Sequence, residues 1–183
     1  ISARIRIPRL HRVPGMRLAA VSAALLTWSC SAMAQLPASP PACTAAEHRQ
    51  FDFWLGRWDV TVSGQAAGTN EITLEEDGCV LHEHWVGSKG GTGQSFNWYD
   101  RAAGRWHQVW VDSQGTGLQL AGTYADGRLT LTGTAPGPGG APQPQRLTFF
   151  KNPDGTVRQL WESSADGGST WQAVFDGLYR KKS

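Results

Sequence analysis

Three kinds of side chain in this sequence could do chemistry, and each is spaced as β-strands space them. In the first set, Glu83 and Trp85 share one parity. So do Ser95, Asn97 and Tyr99, then Gln108 and Trp110, then Gln159 and Trp161. Residues i and i+2 of a strand point to one face of its sheet. If those faces meet around one lumen, they line it with aromatic walls, several amides and one carboxylate. Such a surface suits a small, partly polar ligand, because rings supply contact area and polar groups fix orientation. The competing reading is that Trp85, Trp110 and Trp161 simply fill the space, as side chains often fill small barrels.

The second set is His82 and His84, with His107 two strands further on. They have the opposite parity to Glu83 and Trp85. With Glu83 inside, the histidines diverge on the outside and hold no metal. With the parity reversed, three imidazoles meet inside and leave a coordination position for water, as in catalytic zinc sites. The third candidate is Glu83 alone. Burial raises a carboxylate pKa, so Glu83 is the candidate general base of an isomerase or cyclase type of enzyme. No G-x-S-x-G occurs, which leaves a hydrolase triad without its nucleophile elbow. Haem held by a histidine of the last two strand-like runs is disfavoured too, since those runs contain none. No cofactor is expected.

The elements that position these residues follow from pattern. About ten β-like runs cover residues 58–63, 70–74, 80–86, 94–99, 105–112, 117–124, 128–134, 145–151, 157–163 and 171–180. Asp77-Gly78, Ala103-Gly104, Asp126-Gly127, Asp154-Gly155 and Asp166-Gly167 fall between runs, where hairpin turns need positive φ. Residues 134–144 are rich in Pro and Gly and read as an irregular loop. Short strands joined by hairpins make a meander, and a long meander avoids exposed edges by closing. The expected fold is all-β, an antiparallel up-and-down β-barrel of about ten strands with a short N-terminal helix. Thr44 and Glu47 form a candidate capping box for that helix. Phe51, Trp54 and Leu55 share its apolar face, Gly56 ends it, and His48 is expected to be solvated.

Organisation outside the barrel is read from composition. Met16-Arg17, the apolar run 18–28 and Ala32-Met33-Ala34 make a secretory signal over residues 16–34, with cleavage between Ala34 and Gln35. Residues 1–15 read as translated upstream sequence. Residues 35–43 read as a flexible Pro/Ala/Ser tether and 44–183 as one barrel domain. A rival lipoprotein signal on Cys30 is disfavoured by Trp28. Residues 1–34 carry five of the 17 basic residues, so the exported chain holds twelve against 15 acidic ones, a net charge of −3. That balance excludes nucleic acid as the expected partner. No transmembrane span is expected, because the leader's apolar run is too short. The partner is an unidentified small molecule, and the protein a monomer or weak homo-oligomer, periplasmic or secreted. Cys43 and Cys79 survive cleavage and, in an oxidising compartment, favour one disulfide.

Gly56-Arg57-Trp58, following a short helix at the head of the first strand, resembles the G-x-W opening of lipocalins and other calycins. The wider pattern includes the run from Phe51 to Val60, Gly78-Cys79-Val80-Leu81, Asn97-Trp98-Tyr99-Asp100 and the run from Trp106 to Asp112. It resembles a family of secreted bacterial calycin-like proteins of unknown function, over nearly all of the exported chain. The resemblance implies a β-barrel and carries over no catalytic residue. It also implies that Trp58 packs under a basic residue of the last strand, at the place Arg180 holds here. Three functions stay open: a carrier with its ligand in the lumen, a small enzyme using Glu83, and a structural envelope protein with a filled barrel.

Overall fold

The computed structural model describes residues 43–182. The signal segment, its cleavage site, Cys30 and residues 35–42 of the tether lie outside the described residues. Ten strands form one closed barrel: β1 (Gly56–Val62), β2 (Gln65–Glu75), β3 (Val80–Gly87), β4 (Thr92–Asp100), β5 (Arg105–Asp112), β6 (Gly117–Ala125), β7 (Arg128–Pro136), β8 (Pro142–Lys151), β9 (Val157–Ser163) and β10 (Gln172–Lys181). Every strand pairs antiparallel with its sequence neighbours, and β1 pairs with β10 to close the ring. Among the described residues no helix is long and apolar enough to cross a membrane.

The turns behave as their residues require. Asp126 (φ 50°) and Gly127 (φ 74°) join β6 to β7 in a two-residue hairpin, the positive-φ geometry that matches strand twist. Ser63 (φ 50°) and Gly64 (φ 77°) do the same between β1 and β2. That second hairpin lets β2 start at Gln65, earlier than its hydrophobic pattern shows. The Pro/Gly stretch is the other difference. Its strands run on through Thr134↔Pro144 and Pro136↔Pro142, which leaves only residues 137–141 as a loop. Pairing of β8 with β9 begins at Gln145, so Pro142 and Pro144 sit in a projecting ribbon where a missing N–H is tolerated.

The segment before β1 is not a continuous helix. It forms two 3-10 turns, Ala46–Arg49 and Asp52–Trp54. The capping box does not form: Ala45 is the N-cap residue, and no side chain caps the turn. Gly56 begins β1 with φ 122° instead of ending a helix, and Leu55 caps the second turn. The cause is packing. The two turns lie across one mouth of the barrel, where Phe51 and Trp54 are completely buried. Phe51 stacks on Trp54 at 4.9 Å and meets Phe149 at 4.8 Å and Trp106 at 5.6 Å. The Trp58 indole donates to the Trp54 carbonyl (2.8 Å), and the Trp106 indole to Gln50 Oε1 (3.1 Å). His48 is buried too, edge-on to Tyr99 at 5.3 Å, where a solvated side chain was expected.

Trp58 is fully buried and lies under a basic residue of β10, but that residue is Lys181. Its Nζ stands 5.4 Å from the Trp58 ring centre. Trp58 pairs with Lys181, whereas Arg180 pairs with Asp59 and is exposed. One step along a strand reverses the face, which is why Arg180 turns away.

Cys43 and Cys79 form a disulfide with a Cα–Cα distance of 5.1 Å, and Arg49 Nη2 donates to the Gly78 carbonyl beside it. Both contacts tie the sealing segment to the β2–β3 turn. The disulfide is consistent with an oxidising compartment. It spans 36 residues, so removing it by Cys43→Ser with Cys79→Ser is expected to cost up to about 4 kcal/mol. Denaturant unfolding should show a lower midpoint, while the far-ultraviolet spectrum of the native barrel is retained.

Candidate functional site

Side chains alternate inward and outward along each strand, apart from the bulges between Val60 and Thr61 and between Ala173 and Phe175. Trp58 and Val60 of β1, Leu81 of β3, Trp106 of β5, Leu129 and Leu131 of β7 and Phe149 of β8 fill the sealed half. Above them the barrel is hollow. A cavity of about 360 Å³ opens toward the turns after Asp112, Pro136 and Ser163. Glu83, Gln108 and Gln159 line it, framed by Trp85, Trp110 and Trp161. Phe175, Tyr179, Leu118, Leu147 and Asp112 complete the wall.

Glycines explain why aromatic residues leave a hollow instead of filling it. A Cβ on Gly93 would come within 2.1 Å of the Trp110 ring, and one on Gly68 within 2.7 Å of the Trp85 ring. A Cβ on Gly177 would meet Phe175 at 2.4 Å. Each ring lies over wall space that only glycine leaves vacant, so its bulk stays out of the lumen.

The floor of the cavity is a hydrogen-bonded crescent that runs around the barrel. Gln108 Nε2 donates to Asn97 Oδ1 (2.8 Å), Asn97 Nδ2 to Ser95 Oγ (2.9 Å), and Ser95 Oγ to Glu83 Oε2 (2.5 Å). From the other side Asn70 Nδ2 donates to Glu83 Oε1 (2.7 Å) and lies 3.5 Å from the Tyr179 hydroxyl, the weakest link. Tyr179 donates in turn to Gln159 Oε1. The chain therefore passes from β5 through β4, β3 and β2, skips β1, and ends on β10 and β9. Facing it, β6, β7 and β8 present Leu120, Leu131 and Leu147.

The side-chain hydrogen bonds of the β5–β4 arm run toward Glu83, with Asn97 Nδ2 also reaching the Leu81 carbonyl (3.2 Å), and Asn70 adds one more donor. Hydrogen bonds of this polarity favour the carboxylate, yet burial outweighs them and raises the Glu83 pKa to about 7. Burial also pushes the Tyr179 phenol up, and the Glu83 charge adds to it.

The residues picked from sequence parity thus separate into three places. Glu83, Trp85, Gln108, Trp110, Gln159 and Trp161 line the cavity. Ser95 and Asn97 face inward but stand behind it, fully buried, as the links that orient Glu83 and Gln108. Tyr99 faces inward at the sealed end, 6.0 Å from Trp106, and takes no part in the cavity. Asn70, Tyr179 and Gln145 were not anticipated. Asn70 heads an ordinary strand run, and Gln145, which accepts from the Trp161 indole at 2.8 Å, lies beside prolines. Parity from Glu83 through the β2–β3 pairing Asn70↔Trp85 would have found Asn70.

The histidines lie on the outer face. His82 stacks on Phe96 at 4.8 Å and bonds Glu75 and Gln94, while His84 is exposed. His107 stacks on Trp98 at 5.1 Å, so the three do not converge. Among the described residues no group of three or more His, Cys, Asp or Glu is placed to hold a metal ion.

No family model matches this chain, and no curated protein matches it either.

The Glu83 shift has a consequence for stability. Its folded pKa is raised from 4.5 to about 7. The buried acid therefore contributes its full stability below pH 4.5 and loses it as pH rises through about 7, a change of roughly 3 kcal/mol. Glu83→Gln mimics the protonated acid at every pH. Urea unfolding should find the variant gaining on the native chain by up to that amount between pH 5 and pH 8; a difference that stays flat with pH would refute the assignment.

Proposed function

We propose that this is an exported calycin-like carrier that holds a small molecule in the open half of its barrel. The observation that supports it most is the cavity of about 360 Å³, walled by aromatic rings and floored by a polar crescent. A closed barrel is compatible with that role, and a site with large apolar walls and few convergent polar groups is the usual form of a small-molecule pocket. A wholly structural barrel has no need of a hollow maintained by Gly68, Gly93 and Gly177 beneath its largest rings. In this reading Trp85, Trp110 and Trp161 supply contact area, while Glu83, Gln108 and Gln159 orient the occupant.

One observation favours a second reading. Glu83 lines the cavity and titrates near neutrality, as a general acid or base should. An isomerase or cyclase would use the same pocket with Glu83 as its proton carrier. Turnover of a bound molecule that Glu83→Gln abolishes without loss of binding would establish this second function.

The leader pattern in the sequence and the disulfide together support the export reading. N-terminal sequencing of the mature protein is expected to start at Gln35; a product that keeps Met16, or one acylated on Cys30, would overturn it.

The carrier reading is tested with the neutral fluorophore N-phenyl-1-naphthylamine. It should enter the cavity, quench tryptophan emission and accept energy from the three indoles. Gly93→Ala forces a Cβ against the Trp110 ring and drives that ring into the lumen. It should cost about 1–3 kcal/mol of stability and remove most of the energy transfer. Equal binding by the variant would place the probe elsewhere.

A further inference from the structure

We infer that the cavity selects a protonated amine on an apolar body, rather than a neutral or anionic molecule. The inference rests on the carrier reading and adds the sign of the ligand's charge.

The lining is one-sided in charge. Glu83 stands at its floor and Asp112 at its mouth, and no Lys, Arg or His is among the described residues that line it. Asp112 Oδ1 accepts the backbone amides of Gln114 and Thr116 (both 2.9 Å), which holds that carboxylate at the rim. Two carboxylates at the two ends of an apolar-walled cleft focus a negative potential along it.

Hydrogen-bond polarity adds a second, independent reason. Donors from Ser95 and Asn70 converge on Glu83, so the carboxyl is organised as an acceptor. Gln108 spends its Nε2 on Asn97, and its Oε1 has no partner among the described residues. Glu83 on β3 and Gln108 Oε1 on β5 thus both line the cavity as acceptors. A bound ammonium has three N–H donors and no acceptor, which matches them. A carboxylate or phosphate would find only neutral donors in the lining, the Gln159 amide, the Thr116 hydroxyl and the Trp85 and Trp110 indole N–H groups, and no cation to offset the two carboxylates.

The walls make the third contribution. Trp85, Trp110 and Trp161 surround the same space, with Phe175 at 6.0 Å from Trp85 and nearly perpendicular to it. The Trp161 indole N–H is held by Gln145, which fixes that ring in place. Aromatic faces attract cations through their quadrupole, and tryptophan does so best. A cation also restores the charged state of Glu83 that burial opposes, so its binding expels a proton wherever Glu83 is protonated. The titratable groups that bear on Glu83 are Tyr179 from β10 and His82 from the outer face of β3, while β2 and β4 present the neutral Asn70 and Ser95.

The test uses the whole exported chain and three probes of one size: phenethylamine, 2-phenylethanol and phenylacetate. Isothermal titration at pH 8 should rank the amine at least about tenfold tighter than the alcohol and the acid weakest. Amine affinity should rise about tenfold from pH 6 to pH 8 as Glu83 ionises, while alcohol affinity stays level. In Glu83→Gln the preference for amine over alcohol should collapse; in Trp110→Leu all three probes should weaken. If N-phenyl-1-naphthylamine binds but the three probes bind alike, or the acid binds best, the cation assignment fails and the carrier reading stands. If none of the four binds, both fail. Should Glu83→Gln not fold, the native pH series decides alone.

Discussion

Closure of the sheet through the β1–β10 pairing is the constraint on which everything else in this protein depends. In an open sheet each strand can face core or solvent according to its local neighbours. Once ten antiparallel strands close, pairing fixes which face of every strand is interior, and a one-residue slip would turn a lumen residue out. Trp58↔Lys181 and Val60↔Tyr179 set that register at the seam. The effect is visible in Arg180, one residue from Lys181 and on the wrong face to cover Trp58. It is visible again in His82 and His84, which flank Glu83 in sequence yet stand on the opposite side of the wall.

Within the ring, residue size divides the interior into two halves. The sealed half combines large rings with large aliphatic partners and is closed over by Phe51 and Trp54, which the disulfide and Arg49 hold in place. The open half has three indoles of its own, but it sets glycine beneath two of them and beneath Phe175. The same tryptophan richness therefore gives a solid core at one end and a hollow at the other. Composition alone cannot distinguish these outcomes, because the deciding residues are the glycines across the strand, not the aromatics themselves.

That division explains what could be read from the sequence. Strand number, barrel closure, the inward face of Glu83 and Gln108 and the Cys43–Cys79 pair were legible because each follows from a period of two, a turn signal or a residue count. A short helical segment before β1 was legible too, but not its 3-10 form. Thr44 and Glu47 have capping-box spacing, but the segment must curve across the barrel mouth to bury Phe51 and Trp54, and two 3-10 turns do so. His48 reads as solvated until those turns cover it. Tyr99 shares its parity with Ser95 and Asn97, but height along the barrel, which parity does not encode, puts it at the sealed end. Asn70 and Gln145 were invisible for a related reason: what marks them is a cross-strand partner, not their own neighbours in sequence.

The crescent lies at the boundary between the two halves, and its position gives the carboxyl its character. Glu83 is too deep for water to solvate it as at a surface, so desolvation dominates. It is also the terminus toward which Gln108, Asn97 and Ser95 pass their donors, so the charged form is far from unsupported. Neither tendency is complete, and the result is a carboxyl raised to about 7 rather than one locked in either state. An apolar residue at this position would close the floor of the cavity with less tension, since removing a buried ionisable group is often neutral or stabilising. The acid stands at the floor of the open half, where anything entering that half would meet it. The aromatic walls, the Gln108 oxygen and a lining without a cation among the described residues bound that same cavity.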